Sequence, residues 1–153
     1  MPEVILRNVE QCRKTLELNP DMPTAYRWLA ESYEQKGLYE QAIEAYLKGD
    51  FSKLGPEAGA ALREAYAASG WKGFWRKALD LQEQRAKQRY VAPGVFAEIY
   101  ARLGEKDQAF FWLEKAYEER GWSITTLNAD PMFDDLRSDP RYADLVRRMG
   151  LEP

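Results

Sequence analysis

The stretch 23–48, PTAYRWLAESYEQKGLYEQAIEAYLK, decides the fold. It reads as two short amphipathic helices joined by a tight turn at Gly37. Tyr26, Leu29, Ala30 and Tyr33 recur at i, i+3, i+4 and i+7, which puts them on one apolar face of a first helix. Ala42, Ala45, Tyr46 and Gly49 mark the facing side of a second. Small groups there let two backbones approach, and the rings of Tyr26 and Tyr33 fill the space beside them. Gly37 stands where the first helix must end, a place that often needs φ > 0. A hairpin of this size cannot bury its apolar face alone, so the pattern is expected to recur.

It recurs twice. Leu62, Tyr66 and Gly70 repeat Leu29, Tyr33 and Gly37, and Phe96, Tyr100 and Gly104 repeat them again. The tyrosines and the glycines are each separated by 33 and then 34 residues. A period of about 34 built from helix–turn–helix units resembles the tetratricopeptide repeat family, over roughly residues 3–118. The first copy, 23–49, matches nearly throughout. The third, 91–119, keeps Phe96, Ala97, Tyr100, Gly104, Ala109, Leu113 and Ala116. The second, 56–89, departs: Arg63 and Trp75 stand where small residues are usual, which predicts a splayed hairpin or helices shifted in register.

Residues 3–19 place Val4, Ile5, Val9, Cys12 and Leu16 on a common face and fit the lone second helix of a preceding repeat. Such a helix is either a natural half-repeat cap or, as we expect, the mark of a chain cut from a longer protein. At the other end, 121–153, Asp130-Pro131 and Asp139-Pro140 each join an N-cap residue to a first-turn proline and predict helices over 131–137 and 140–149. This segment resembles the cap that closes tetratricopeptide modules in larger bacterial regulatory proteins, including kinases and DNA-binding regulators. The resemblance implies a single all-α domain over 1–153, a right-handed superhelix of hairpins closed by a helical cap.

Composition agrees with this and excludes other classes. The chain has 153 residues, 45% hydrophobic and 31% charged, which suits a globular protein, and it has few windows with strand-like alternation. A net charge of −3 gives no basic excess for neutralising phosphates, so no nucleic-acid partner is expected. The basic run of Arg76, Lys77, Arg85, Lys87 and Arg89 lies at helical spacing, as a solvated face or a docking surface. Cys12 is the only cysteine and there is no histidine, which removes disulfides, the commonest general base and the usual zinc ligands. Neither an enzyme nor a cofactor is expected. The N-terminal MPEVILRNVEQ is not a signal peptide. No apolar run approaches the ~20 residues of a membrane span, so a cytoplasmic protein with no membrane partner is expected.

In the family, the first helix of each hairpin lines the concave side. The resemblance carries this onto Arg27, Glu31, Glu34 and Gln35 from the first copy, and Ala60, Glu64, Ala67 and Ala68 from the second. The third supplies Gly94, Glu98, Ala101 and Arg102. Glu31, Glu64 and Glu98 occupy one place in all three copies, and in a regular stack they form a ladder of carboxylates. Such a ladder suits a basic or amino-bearing segment of a protein or peptide partner, held by charge-assisted hydrogen bonds. The alternative is that each glutamate pairs with Arg27, Arg63 or Arg102, or is solvated. The clamp by which some family members grip a C-terminal carboxylate is not matched, because glutamates lie between Arg27 and Arg102.

Three aromatic features carry further expectations. Trp28 is either a wall of the groove or a core residue. Trp71, Phe74 and Trp75 either pack on the third hairpin or form an exposed patch for a partner or a homodimer. Phe110, Phe111 and Trp112 diverge by about 100° per residue, so at least one must reach the surface or the cap. The reading is a non-catalytic protein-interaction module with a partly acidic groove. Its alternative is a self-association or intramolecular docking module of a larger bacterial regulator.

Overall fold

The computed structural model describes residues 2–121, 127–128 and 130–150, with side chains from residue 8 onward. Trp122 and Ile124 of the expected cap, and the side chains of Val4 and Ile5, lie outside the described residues. Among the described residues all regular structure is helical. The order is α1 (Pro2–Leu18), α2 (Pro23–Gln35), α3 (Tyr39–Lys48), a 3-10 turn (Ser52–Leu54) and α4 (Pro56–Ala86). Then come α5 (Pro93–Leu103), α6 (Lys106–Glu118), a 3-10 helix (Pro131–Leu136) and α7 (Pro140–Arg148). The chain divides into two compact units, Met1–Ala67 and Ala68–Pro153.

In the first unit, Pro23 opens α2, where its missing N–H costs nothing. Gly37 closes it with φ 73°. The Leu38 N–H reaches back to the Tyr33 carbonyl at 2.9 Å and the Gly37 N–H to the Glu34 carbonyl at 3.0 Å. This pair satisfies carbonyls that the helix end would otherwise leave open. Ala25, Leu29, Ala30 and Tyr33 of α2 and Ala42, Ile43, Ala45 and Tyr46 of α3 are buried. At Gly49 the approach is close: a Cβ there would lie 3.1 Å from the Tyr26 Cβ and 3.2 Å from the Pro23 carbonyl. Helix α1 packs on α2 with Val9 and Cys12 buried, and Arg13 Nη2 donates to Tyr33 Oη at 2.7 Å. Burial pushes the Cys12 thiol above its ordinary pKa, and Glu31 adds to the effect.

The helix α4 differs from the flanking hairpins. Its turn glycine, Gly70, has φ 73° and ψ −160°, and helix continues directly on both sides. That region of backbone space is open essentially to glycine alone. By contrast, Gly104 after α5 repeats the Gly37 closure: Glu105 N–H to Tyr100 carbonyl at 3.0 Å and Gly104 N–H to Ala101 carbonyl at 3.1 Å. Before the break, Ala58, Gly59 and Leu62 face inward, with Gly59 against Leu47.

In the second unit, Phe74, Trp75, Ala78 and Leu79 of α4 are buried. Trp71 stacks on Phe74 at 5.0 Å, and Trp75 meets both rings edge-on. The Arg102 guanidinium of α5 lies 4.2 Å over Trp75. The aromatic cluster is therefore core, packed toward α5. On α6, Phe110 is buried, Phe111 is exposed and Trp112 stacks on Phe96 at 4.5 Å, as their angular divergence requires. Leu127, Phe133, Leu136, Leu145 and Val146 complete this core with Ala97, Phe110 and Leu113. Each large apolar side chain buried there stabilises by about 1.5–3 kcal/mol.

Both Asp-Pro pairs are N-caps: Asp130 accepts from the Met132 N–H and Asp139 from the Arg141 N–H. The hydrogen bonds from the Arg141 side chain and N–H hold the Asp139 carboxyl down at about 2. The element after Asp130 is a 3-10 helix ending at Leu136, tighter and shorter than the expected 131–137 helix.

Candidate functional site

The residues expected to face a groove fall into three environments, one for each helix. On α2, Arg27 is clasped on two sides: its Nε lies 3.0 Å from Glu31 and its Nη1 3.2 Å from Asp50. Arg27 and Glu31 are half-buried, and each answers the other's charge. Glu34 accepts a hydrogen bond from Tyr46 Oη at 3.1 Å. Gln35 is exposed. Trp28 is 51% exposed, so it is a surface ring and not part of the core.

On α4 the same places are open. Ala60, Glu64, Ala67 and Ala68 are all exposed and, at i, i+4, i+7 and i+8, share one face. The opposite face, with Ala58 and Leu62, is buried. Glu64 has no hydrogen-bond or ion-pair partner among the described residues. Arg63 does not turn to it. Its Nε and Nη2 grip Glu44 of α3 at 2.8 and 3.0 Å. That fork of hydrogen bonds holds the Glu44 carboxyl below its ordinary pKa.

On α5 the places are closed. Gly94 and Ala101 are buried, and Glu98 is only 6% exposed. Arg102 joins three elements: it stacks on Trp75, donates to the Glu98 carbonyl at 3.4 Å and approaches the Met132 sulfur at 3.3 Å. Its charge is spent within the unit.

A feature the sequence reading did not isolate is a cleft of about 330 Å³ on α2 and α3. Tyr26, Leu29 and Tyr33 line it from α2, and Glu40, Glu44 and Lys48 from α3. The signal was present as the i, i+4, i+8 spacing of those α3 side chains. Among the described residues no cluster of His, Cys, Asp and Glu could hold a metal ion. No described helix is long and apolar enough to cross a membrane.

The family model for the tetratricopeptide repeat matches residues 23–49 and 95–120. The chain carries tetratricopeptide repeats. Both matched stretches are those whose glycine closes a helix with the paired hydrogen bonds described above, and the kinked α4 lies between them. Tetratricopeptide repeats generally mediate protein–protein interaction, bind proteins or peptides and are typically non-catalytic. A non-reducing polyketide synthase, dpmpA, of Macrophomina phaseolina (strain MS6) is 31% identical over 112 residues, which cover 66% of this chain. The chain spans 4% of that protein's length. No solved structure matches the chain.

Proposed function

We propose that the chain is a non-catalytic interaction module that holds a basic segment of a protein partner on the open face of α4. The observation that carries the reading is the state of Glu64: an exposed carboxylate with no hydrogen-bond or ion-pair partner among the described residues, flanked on its own face by Ala60 and Ala67. The methyl groups leave room for a partner backbone, and the carboxylate supplies a charge-assisted hydrogen bond to a lysine or arginine. Trp28 adds an exposed ring in the same unit, of the kind that receives cations or apolar side chains. Glu31, Arg27 and Arg102 act in this reading as internal braces. The module works in the cytoplasm, presenting a preformed surface with no chemistry of its own.

The test is selection of a random-peptide display library on the wild-type chain and on Glu64→Arg. Peptides enriched in lysine and arginine, lost on the variant at unchanged far-UV helicity, support the reading. Equal recovery on both chains contradicts it.

A further inference from the structure

Two arginines of α7 meet α6 in the same way. Arg141 Nη1 donates to Asp107 at 2.8 Å, and its guanidinium lies 4.4 Å over the Phe110 ring. Arg148 donates from both Nη atoms to Glu114, one of them at 3.0 Å, and lies 5.3 Å over the Tyr117 ring. Each arginine is also steadied from its own side, Arg141 by Asp139 at 2.9 Å and Arg148 by Asp144 at 2.9 Å. Tyr117 Oη returns a hydrogen bond to the Arg148 carbonyl at 3.2 Å.

The spacing is seven residues at every place: 107 to 114, 110 to 117 and 141 to 148. Seven residues are close to two helical turns, so both clasps lie on one face of each helix. On α6 they are two copies of one short pattern, DQAF at 107–110 and EKAY at 114–117. Asp107 pairs with Arg141 and Glu114 with Arg148, so α6 and α7 run in the same direction, offset by 34 residues. That offset is the repeat period itself. Adding 34 to the bounds of α5, 93 and 103, gives 127 and 137, which bracket the 3-10 helix packed on it.

The final segment therefore lies where a fourth hairpin would. Its first helix has shrunk to the 3-10 helix Pro131–Leu136, and its second is α7. We propose that α7 is a latched lid, whose two Arg–carboxylate–aromatic clasps fix its register on α6 and govern whether the apolar face of α5 and α6 stays covered. Apolar contacts from Leu145 and Val146 supply adhesion but little register. A slip of one turn keeps a hydrophobic stripe in place while carrying both arginines off their carboxylates. The clasps are solvent-exposed, so they are screened when the Debye length falls to about 3 Å in 1 M salt.

The test is amide hydrogen exchange of the whole chain in 0.05 M and 1 M NaCl. Three proteins are compared: wild type; Arg141→Ala with Arg148→Ala; and a charge swap, Arg141→Asp and Arg148→Glu with Asp107→Arg and Glu114→Arg, made together with Asp139→Asn and Asp144→Asn so that the new carboxylates meet no like charge on α7. In wild type, exchange over residues 140–148 should quicken about tenfold at high salt while α3 is unmoved. The double-alanine protein should exchange fast at both salts, and the swap should recover protection at low salt. Salt-independent protection of α7 in wild type overturns the proposal, as does a swap no better protected than the alanine variant. Should the alanine variant lose α5 together with α7, the wild-type salt response and the swap still decide the question.

Discussion

In the α2–α3 hairpin, Ala30 and Ala42 are fully buried, and in the α5–α6 hairpin Ala97 and Ala109 are fully buried at the same places. On α4 those two places hold Arg63 and Trp75. A pair of methyl groups lets two helices lie close. An arginine and an indole do not, and each has gone elsewhere: Arg63 out to Glu44, Trp75 into the core beneath Arg102. The turn glycine follows. Gly104 takes the left-handed helical conformation, with ψ 13°, which reverses the chain, whereas Gly70 takes ψ −160° and helix resumes at once. The groove positions follow as well. Four residues before the shared glutamate stand Arg27 on α2, Ala60 on α4 and Gly94 on α5. Only the first can supply an ion pair from that place, so Glu31 is answered, whereas Glu64 is exposed and meets no charged partner among the described residues.

Substitutions at the paired positions should separate the two kinds of helix. Trp75→Ala removes a buried ring from the second unit and should lower stability by about 3–5 kcal/mol in denaturant unfolding. Ala42→Gly, at the equivalent place, should cost only about 1 kcal/mol, mostly through helix propensity. Gly70→Ala meets no atom within 4 Å of the new Cβ, so its cost is that of the backbone alone. It should reach about 1–3 kcal/mol, and exceed the cost of about 1–2 kcal/mol expected for Gly104→Ala. Equal costs at the two glycines would mean that the α4 break is not locked by its conformation.

The same contrast sets two binding predictions. Ala60→Arg gives Glu64 the neighbour that Glu31 already has, and should weaken binding of a lysine-rich peptide about twofold with Glu64 itself unchanged. Arg27→Ala is the control on α2. It removes one partner each of Glu31 and Asp50 and leaves Glu64 untouched, so the same peptide's affinity should stay within about twofold of wild type. Fluorescence titration reads both.

Much of the fold was legible because its marks are local. Gly37 and Gly104 announce a positive φ, and Asp130 and Asp139 announce N-caps, from chemistry within a few residues. Gly70 was ambiguous for the same reason: glycine signals freedom at φ and leaves ψ undecided, and ψ separates a reversing turn from a break between helices. The site was less legible because repeat position fixes where a side chain points within its own copy, not what packs over it. Glu98 and Glu64 are equivalent in sequence and opposite in burial. Trp28 could be read either way until its ring was seen at the surface. The α6 clasps were written in DQAF and EKAY, but their meaning needed the arginines 34 residues further on.

Binding of a basic segment depends most on the charge of Glu64. Isothermal titration of a lysine-containing peptide, taken from the display selection, into wild type and Glu64→Gln changes that charge with almost no change of shape. Binding to the variant should be at least about tenfold weaker, with a shallower dependence on salt. Equal affinity and equal salt dependence in the two proteins would show that Glu64 does not hold the basic segment.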